Sequence, residues 1–271
     1  MRARASDGCG LYWQKEGDGP PLMLIAGFGG TAGYWAPQAP LASRFSLLLT
    51  DQRGTGRSDP VPAGSLDQVV DDMVAVLDDA GIESAHVAGH SLGAVIALRL
   101  AARYPGRVRR LVAACARGRG DVVREKVFAL RRQVYTTLGP AAHATFTSLL
   151  LYPPDFIVDH AGEIEAGERQ AAATRLAPGV FDSRVELVLS SELADDLGAV
   201  RAATLVVGAR DDILTPPRGV REIAEGIPGA RLQLFESGGH AISRTRPAEF
   251  NQILLDFLLD TQSQGHKGSI Q

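Results

Sequence analysis

The sequence predicts an α/β protein: a mostly parallel, doubly wound sheet of about eight strands with a helical insertion. Three observations predict it. Short, apolar, β-rich runs alternate with helix-like segments over residues 1–117 and again over 200–260. Most of these runs are apolar at successive positions, as strands covered on both faces of a parallel sheet are. Between the two stretches, residues 118–199 are mostly helical in pattern and lack a clear strand. They are therefore expected to form a cap above a core made of 1–117 and 200–260. The polar, glycine-containing tail 261–271 is expected to be mobile.

The elements follow in order. Ser6-Asp7-Gly8 between apolar stretches signals an N-terminal hairpin. Strands are expected at Leu22–Ala26, Ser46–Leu49, Ala85–Ala88, Leu111–Ala114, Thr204–Val207 and Leu232–Phe235. Helices are expected at Leu66–Ala80, Ala94–Tyr104, Gly219–Glu225 and Pro247–Leu259. Arg107, Arg109 and Arg110, just before Leu111, read as a solvated strand entrance. There is no internal repeat and no low-complexity segment.

Bulk properties narrow the function. With 271 residues, 45% of them hydrophobic, the chain can bury a substantial core. A net charge of -3, without a basic cluster interleaved with aromatics, gives no reason to expect a nucleic-acid partner. Cys9 and Cys115 are too few for a disulfide framework and are not spaced as metal ligands, so Cys115 is expected to be a buried, inert thiol. No H-E-x-x-H, P-loop or flavin pattern occurs, so neither a metal nor a cofactor is expected. The N-terminus lacks an apolar leader, and no apolar run approaches about 18 residues. The expectation is a soluble cytoplasmic protein without a membrane partner, monomeric or homodimeric.

Chemistry concentrates at Gly89-His90-Ser91-Leu92-Gly93, a G-x-S-x-G pattern between a strand-like and a helix-like run. This is the context of a nucleophile elbow, where a tight strand-to-helix turn exposes the serine hydroxyl and glycines avoid a collision two residues either side. A serine hydroxyl needs a base, an acid to orient that base, and donors for the oxyanion. On this framework the chain order is Ser, then acid, then His. His240 fits the base, because it lies in Glu236-Ser237-Gly238-Gly239-His240, after the last strand and before the last helix. His86 lies within a strand, His143 and His160 in the insertion, His266 in the tail, and His90 at a variable motif position. The acid follows the penultimate strand, where Asp211 and Asp212 compete. Counting from Gly208 favours Asp211; counting back from Pro216 and forward from Thr204 favours Asp212, the first choice. The oxyanion donors are expected to be the N–H groups of Leu92 and of Phe28, within Ala26-Gly27-Phe28-Gly29-Gly30.

These motifs together resemble the α/β-hydrolase superfamily: Gly27-Phe28-Gly29-Gly30, Asp51-Gln52-Arg53-Gly54-Thr55-Gly56-Arg57-Ser58, the elbow, Asp212 with Pro216, and Gly239-His240. The resemblance implies an α/β-hydrolase fold and a Ser-His-Asp triad. One departure is Ala26, where many members carry a histidine that supports the oxyanion loop. Tyr34-Trp35-Ala36-Pro37-Gln38 and Leu151-Tyr152-Pro153 are further similar to the aminoacrylate hydrolases of pyrimidine utilisation. The core motifs are also similar to the 3-oxoadipate enol-lactonases, and both groups act on small acidic compounds.

The expected activity is hydrolysis of a small ester, lactone or related acyl compound through an acyl-enzyme, with water as the second reactant. The alternatives are an aminoacrylate- or carbamate-type hydrolase, and a cofactor-free perhydrolase or acyltransferase on the same triad. Serine at the elbow argues against dehalogenase or epoxide-hydrolase chemistry, which needs a carboxylate nucleophile. Gly27, Trp35 and Tyr152 are the expected substrate contacts, with helix packing as the competing reading for Trp35. Phe128, Phe146, Leu149, Leu150, Phe156 and Ile157 line the roof or pack the cap helices together. Arg117, Arg119 and Arg124 read as a solvated charged face rather than as receivers of a carboxylate substrate.

Overall fold

The mostly apolar runs form the centre of the sheet. In the computed structural model, which describes residues 1–174 and 176–259, eight strands form one sheet. They are β1 (Arg2–Arg4), β2 (Gly10–Glu16), β3 (Pro21–Ile25), β4 (Ser46–Thr50), β5 (Ala85–His90), β6 (Val108–Ala114), β7 (Ala203–Ala209) and β8 (Arg231–Phe235). Their order is β1-β2-β4-β3-β5-β6-β7-β8. The β1–β2 hairpin and the β2–β4 pair are antiparallel, and every other pair is parallel. The tail 261–271 lies outside the described residues.

Helices cover both faces. Ser65 caps α1 (Leu66–Asp79) by accepting the Gln68 N–H at 3.1 Å. The helix turns Val69, Val70, Met73, Val76 and Leu77 inward, the stripe its periodicity predicts. Between β6 and β7 the described residues contain no strand but six α-helices: α3 (Val122–Gln133), α4 (Gly139–Leu151), α5 (Pro154–Asp159), α6 (Ala161–Ala173), α7 (Val180–Ser190) and α8 (Ala194–Leu197), with a π-helical turn at Val134–Leu138 joining the first two. Before them comes α2 (Leu92–Arg103), and after them α9 (Pro217–Gly226), α10 (Ile242–Thr245) and α11 (Pro247–Leu259). No helix among the described residues is long and apolar enough to cross a membrane.

The chain runs from β3 outward to β4, then returns to the other side of β3 to lay down β5. Loops leaving β3 and β5 therefore diverge and open a crevice at the carboxyl ends of the strands, where open α/β sheets bind ligands. The loops after β7 and β8 emerge at the same edge.

One expectation fails here. Arg110 is not a solvated entrance residue: it is buried, donates from Nη1 to the Phe257 carbonyl at 2.8 Å and lies against the Phe257 ring. β6 begins at Val108, so Arg110 already belongs to the sheet and α11 packs over it. Arg107, outside the strand, pairs with Asp78 as a partly exposed residue does.

Candidate active site

The turn between β5 and α2 imposes the geometry at Ser91. Its backbone sits at φ 54°, ψ −121°, a conformation that non-glycine residues seldom hold. A Cβ on Gly89 would lie 2.2 Å from the Gly93 carbonyl oxygen, and a Cβ on Gly93 would lie 2.1 Å from that of Ile25. Backbone cannot yield at those distances, so both flanking glycines are required for steric reasons.

From Ser91 a hydrogen-bonded relay leads inward. Ser91 Oγ lies 2.9 Å from His240 Nε2, and His240 Nδ1 lies 2.8 Å from Asp212 Oδ2. A carboxylate can only accept, so Nδ1 carries the hydrogen and Nε2 is left as acceptor for the serine hydroxyl. Asp212 is fully committed. Its Oδ1 accepts the N–H groups of Leu214 and Thr215 at 2.8 and 2.9 Å, and Thr215 Oγ1 donates to Oδ2. Burial alone would raise its pKa. The charge and hydrogen bond of His240, with the bonds from Thr215, overcome that and hold it at about 2. Asp211 does different work, accepting the N–H groups of Gly238 and Gly239 at 3.0 and 2.9 Å, and so anchors the turn that presents His240.

Two neighbours complete the floor. His90, which the sequence reading set aside, places Nε2 2.8 Å from the His240 carbonyl and stacks on Tyr34 at 4.7 Å. Burial above all pushes its pKa down to about 3, so it acts as a neutral donor to the His240 backbone carbonyl. Cys115 is buried, and burial raises its thiol well above the ordinary range. Donor atoms of His90, Cys115 and His240 lie within 4.8 Å of one another. Both His240 nitrogens are engaged with Ser91 and Asp212, so a metal here would dismantle the relay.

The loop after β3 faces this relay. A Cβ on Gly27 would lie 3.0 Å from Ser91 Cβ. The Asp51–Ser58 segment braces the loop: Gln52 Nε2 donates to Ala26 O at 2.6 Å, and the Gln52 N–H donates to Gly30 O at 2.8 Å. Asp51 Oδ1 also accepts the Ala32 N–H at 2.8 Å.

Above lies a cavity of about 880 Å³, lined by Gly27, Phe28, Ser91, Leu92, His240 and, from the insertion, Tyr152. Trp35 is not brought to it. It is 1% exposed and packs in the core against Phe250, while Tyr34 lines the cavity instead. Arg117 and Arg124 are buried rather than solvated: Arg117 pairs with Asp121, and Arg124 binds Glu192 and the carbonyls of Leu189 and Ser191. Arg119 is exposed, as expected.

Two arginines that the sequence reading missed matter more. Arg131 and Arg184 line the cavity at 4% and 1% exposure, and neither forms an ion pair with a carboxylate among the described residues. Burial lowers both to about 10, so both stay cationic at neutral pH. Arg131 lies 4.4 Å over the Phe28 ring, with His143 Nε2 at 3.4 Å and Thr147 Oγ1 at 3.3 Å. The available signal was an arginine at a core position of an amphipathic helix: Arg131 shares its face with Phe128, and Arg184 with Phe181 and Val185.

A doubly wound sheet with this turn and relay at its carboxyl edge is the architecture of an α/β-hydrolase fold. The chain matches the alpha/beta hydrolase fold family over residues 20–247 and belongs to it. Among its relatives is a protein of Azorhizobium caulinodans named as a carbamate hydrolase, RutD, 38% identical over 249 residues, covering 91% of this chain and 94% of the relative. A Caulobacter protein named in the same way is 35% identical over 259 residues, covering 92% and 96%. The enol-lactonase of Burkholderia xenovorans superposes with a TM-score of 0.87 at 24% identity, covering 96% of this chain and 100% of that one, which shows the shared fold.

Proposed function

We propose that this chain is a serine hydrolase that cleaves a small ester, lactone or related acyl compound through an acyl-enzyme. The observation that carries this is the relay from Ser91 through His240 to Asp212 at the base of the cavity. Ser91 Oγ attacks the acyl carbon while His240 Nε2 takes its proton. Asp212 holds the imidazole in the required tautomer and stabilises its charged form. The oxyanion is received by the N–H of Phe28 and by that of Leu92, one of the donors that the first turn of a helix leaves unpaired. His240 then protonates the leaving oxygen or nitrogen, and the acyl group remains on Ser91. Water enters, gives a proton to His240 and attacks the acyl carbon; His240 returns that proton to Ser91 Oγ as the acyl–serine bond breaks, releasing the acid. No step uses a metal or cofactor, and the inserted helices act as the cap that selects the substrate.

Arg131 favours a narrower reading, in which the substrate is itself anionic. A buried cation without a carboxylate partner suits a substrate carboxylate, and its weak contacts with His143 and Thr147 are easily exchanged for one. A carbamate-type compound, as the relatives' names suggest, and a carboxylated lactone both fit this chemistry.

A phosphonate ester tests the triad: it is expected to add one covalent mass to the wild type at Ser91 and none to Ser91→Ala. An unlabelled wild type sinks the proposal. A panel of neutral aryl esters, anionic lactones and carbamates tests the narrower reading, which fails if neutral esters are preferred.

A further inference from the structure

Arg184 is the most buried charged side chain facing the cavity, and its bonds go to two backbone carbonyls and a side-chain amide rather than to acids. Nε donates to the Phe28 carbonyl at 2.6 Å. Nη2 donates to the Gly27 carbonyl at 3.1 Å and to Gln52 Oε1 at 3.0 Å. Gln52, through its amide nitrogen, holds the Ala26 carbonyl at 2.6 Å. Three successive carbonyls of the loop after β3 are thus tied to one polar unit, whose charged half comes from α7.

The consequence follows from the rigidity of the peptide bond. The carbonyl of Gly27 and the N–H of Phe28 belong to one planar trans unit and point in opposite directions. A bond that fixes the oxygen fixes the hydrogen as well. Gly30 N–H also donates to Gly27 O, at 3.0 Å, so the plane is held from two sides. The adjoining Phe28–Gly29 plane is held through Phe28 O. Charge on the guanidinium further polarises the Gly27–Phe28 peptide and makes its N–H a stronger donor.

We infer that Arg184 is a positioning residue for the oxyanion hole, setting the Phe28 N–H from the inserted helix α7 before substrate arrives. The inference rests on the reading of Phe28 as an oxyanion donor. It accounts for a buried cation without a carboxylate among the described residues: peptide and amide oxygens accept from Nε and Nη2, and Nη1 alone is left without a protein partner. It also gives the loop a support at the place where Ala26 lacks the histidine side chain. The oxyanion hole is then the joint product of sheet and insertion.

The test uses an uncharged substrate, p-nitrophenyl acetate, so that any binding of substrate charge by Arg184 drops out. Arg184→Met is expected to lower kcat about 100-fold, as loss of one oxyanion donor does, with KM little changed. Affinity for a trifluoromethyl ketone, which forms a tetrahedral adduct on Ser91, should fall in step with kcat/KM. Affinity for acetamide, an uncharged ground-state ligand, should not. Arg184→Lys keeps the charge but cannot span both carbonyls, and should lose about tenfold in kcat. Wild-type kcat in either variant overturns the proposal, as does a loss confined to KM. If Arg184→Met does not fold, Arg184→Lys decides alone. Phosphonate labelling of the wild type runs alongside. Absence of an adduct overturns the triad, whereas an adduct together with undiminished turnover in the variants overturns only the role of Arg184.

Discussion

Two buried arginines, one in the core and one in the insertion, meet opposite surroundings. Arg53 is 1% exposed beneath the sheet edge and is held by two carboxylates, Asp72 at 2.6 Å and Asp7 at 2.8 Å. Burial pulls its pKa down, but the bonds to Asp72 and Asp7 more than reverse this. Arg131 is also buried in the roof, has no acid paired with it among the described residues, and is pulled down to about 10 by burial alone. The first arrangement is a staple that ties β1–β2, the Asp51–Ser58 loop and α1 together. The second costs stability as it stands, since a desolvated cation is retained without its counter-charge. The floor is thus electrostatically closed by its own side chains, whereas the roof leaves a charge for something else to neutralise.

The largest expected effect lies on the floor. Ser91→Ala should reduce kcat by a factor on the order of 10⁵ to 10⁶ in an aryl-ester assay, as removal of a serine nucleophile generally does. Turnover close to the wild type would break the account of the floor altogether. Asp212→Asn should lose on the order of 10⁴ in kcat, through the wrong imidazole tautomer. Asp211→Ala should lose far less, because Asp211 anchors only the backbone of the Gly238–Gly239 turn. If the two aspartates exchanged ranks in steady-state kinetics, the proposed role of Asp212 as the acid would be overturned.

The roof gives smaller and opposite signs. Arg131→Met should lower kcat/KM for anionic substrates about 10- to 100-fold, the worth of a charged hydrogen bond, and leave p-nitrophenyl acetate unaffected. The same variant should unfold at a higher temperature, by roughly 1–4 kcal/mol of added stability, because an apolar side chain replaces an unpaired ion. The corresponding change in the floor, Arg53→Met, should destabilise, since it strands the buried Asp72 carboxylate. A calorimetric Tm that moves in the same direction for both would erase the contrast.

The smallest effect concerns pH. Asp212 has a folded-state pKa near 2, below its ordinary value of 3.8. Its contribution, roughly 2 kcal/mol, is present in full above pH 4 and is lost as pH falls from about 4 to 2. Acid titration of stability should therefore be shallower in Asp212→Asn than in the wild type over that interval. Identical acid limbs would show that Asp212 does not carry this linkage.

Most of the floor was legible because local chemistry dictates it. Glycines at 89 and 93, an apolar strand before them and a helix after them leave the chain one way to turn. The order Ser91, Asp212, His240 is set by where strands end. Even the choice between Asp211 and Asp212 could be counted from Thr204 and Pro216, because strand length decides which residue emerges at the edge. Trp35 was ambiguous for the opposite reason. One residue of register in the 3₁₀ segment Ala32–Ser43 exchanges Tyr34 and Trp35 between cavity and core, and nothing in their composition says which faces in.

The sequence by itself therefore determined the sheet, the elbow and the members of the relay, since each depends on neighbours within a few residues or on the sterics of a single turn. Only the tertiary structure decided the roles of Arg131, Arg184 and His90. Their partners lie across the fold: Arg184 is 156 residues from the Phe28 carbonyl it holds, and His90 is 150 residues from that of His240. A positive charge in a sequence carries no mark of whether water, a carboxylate or a backbone carbonyl will meet it. Burial answers that question, and burial exists only once the insertion has been packed onto the sheet.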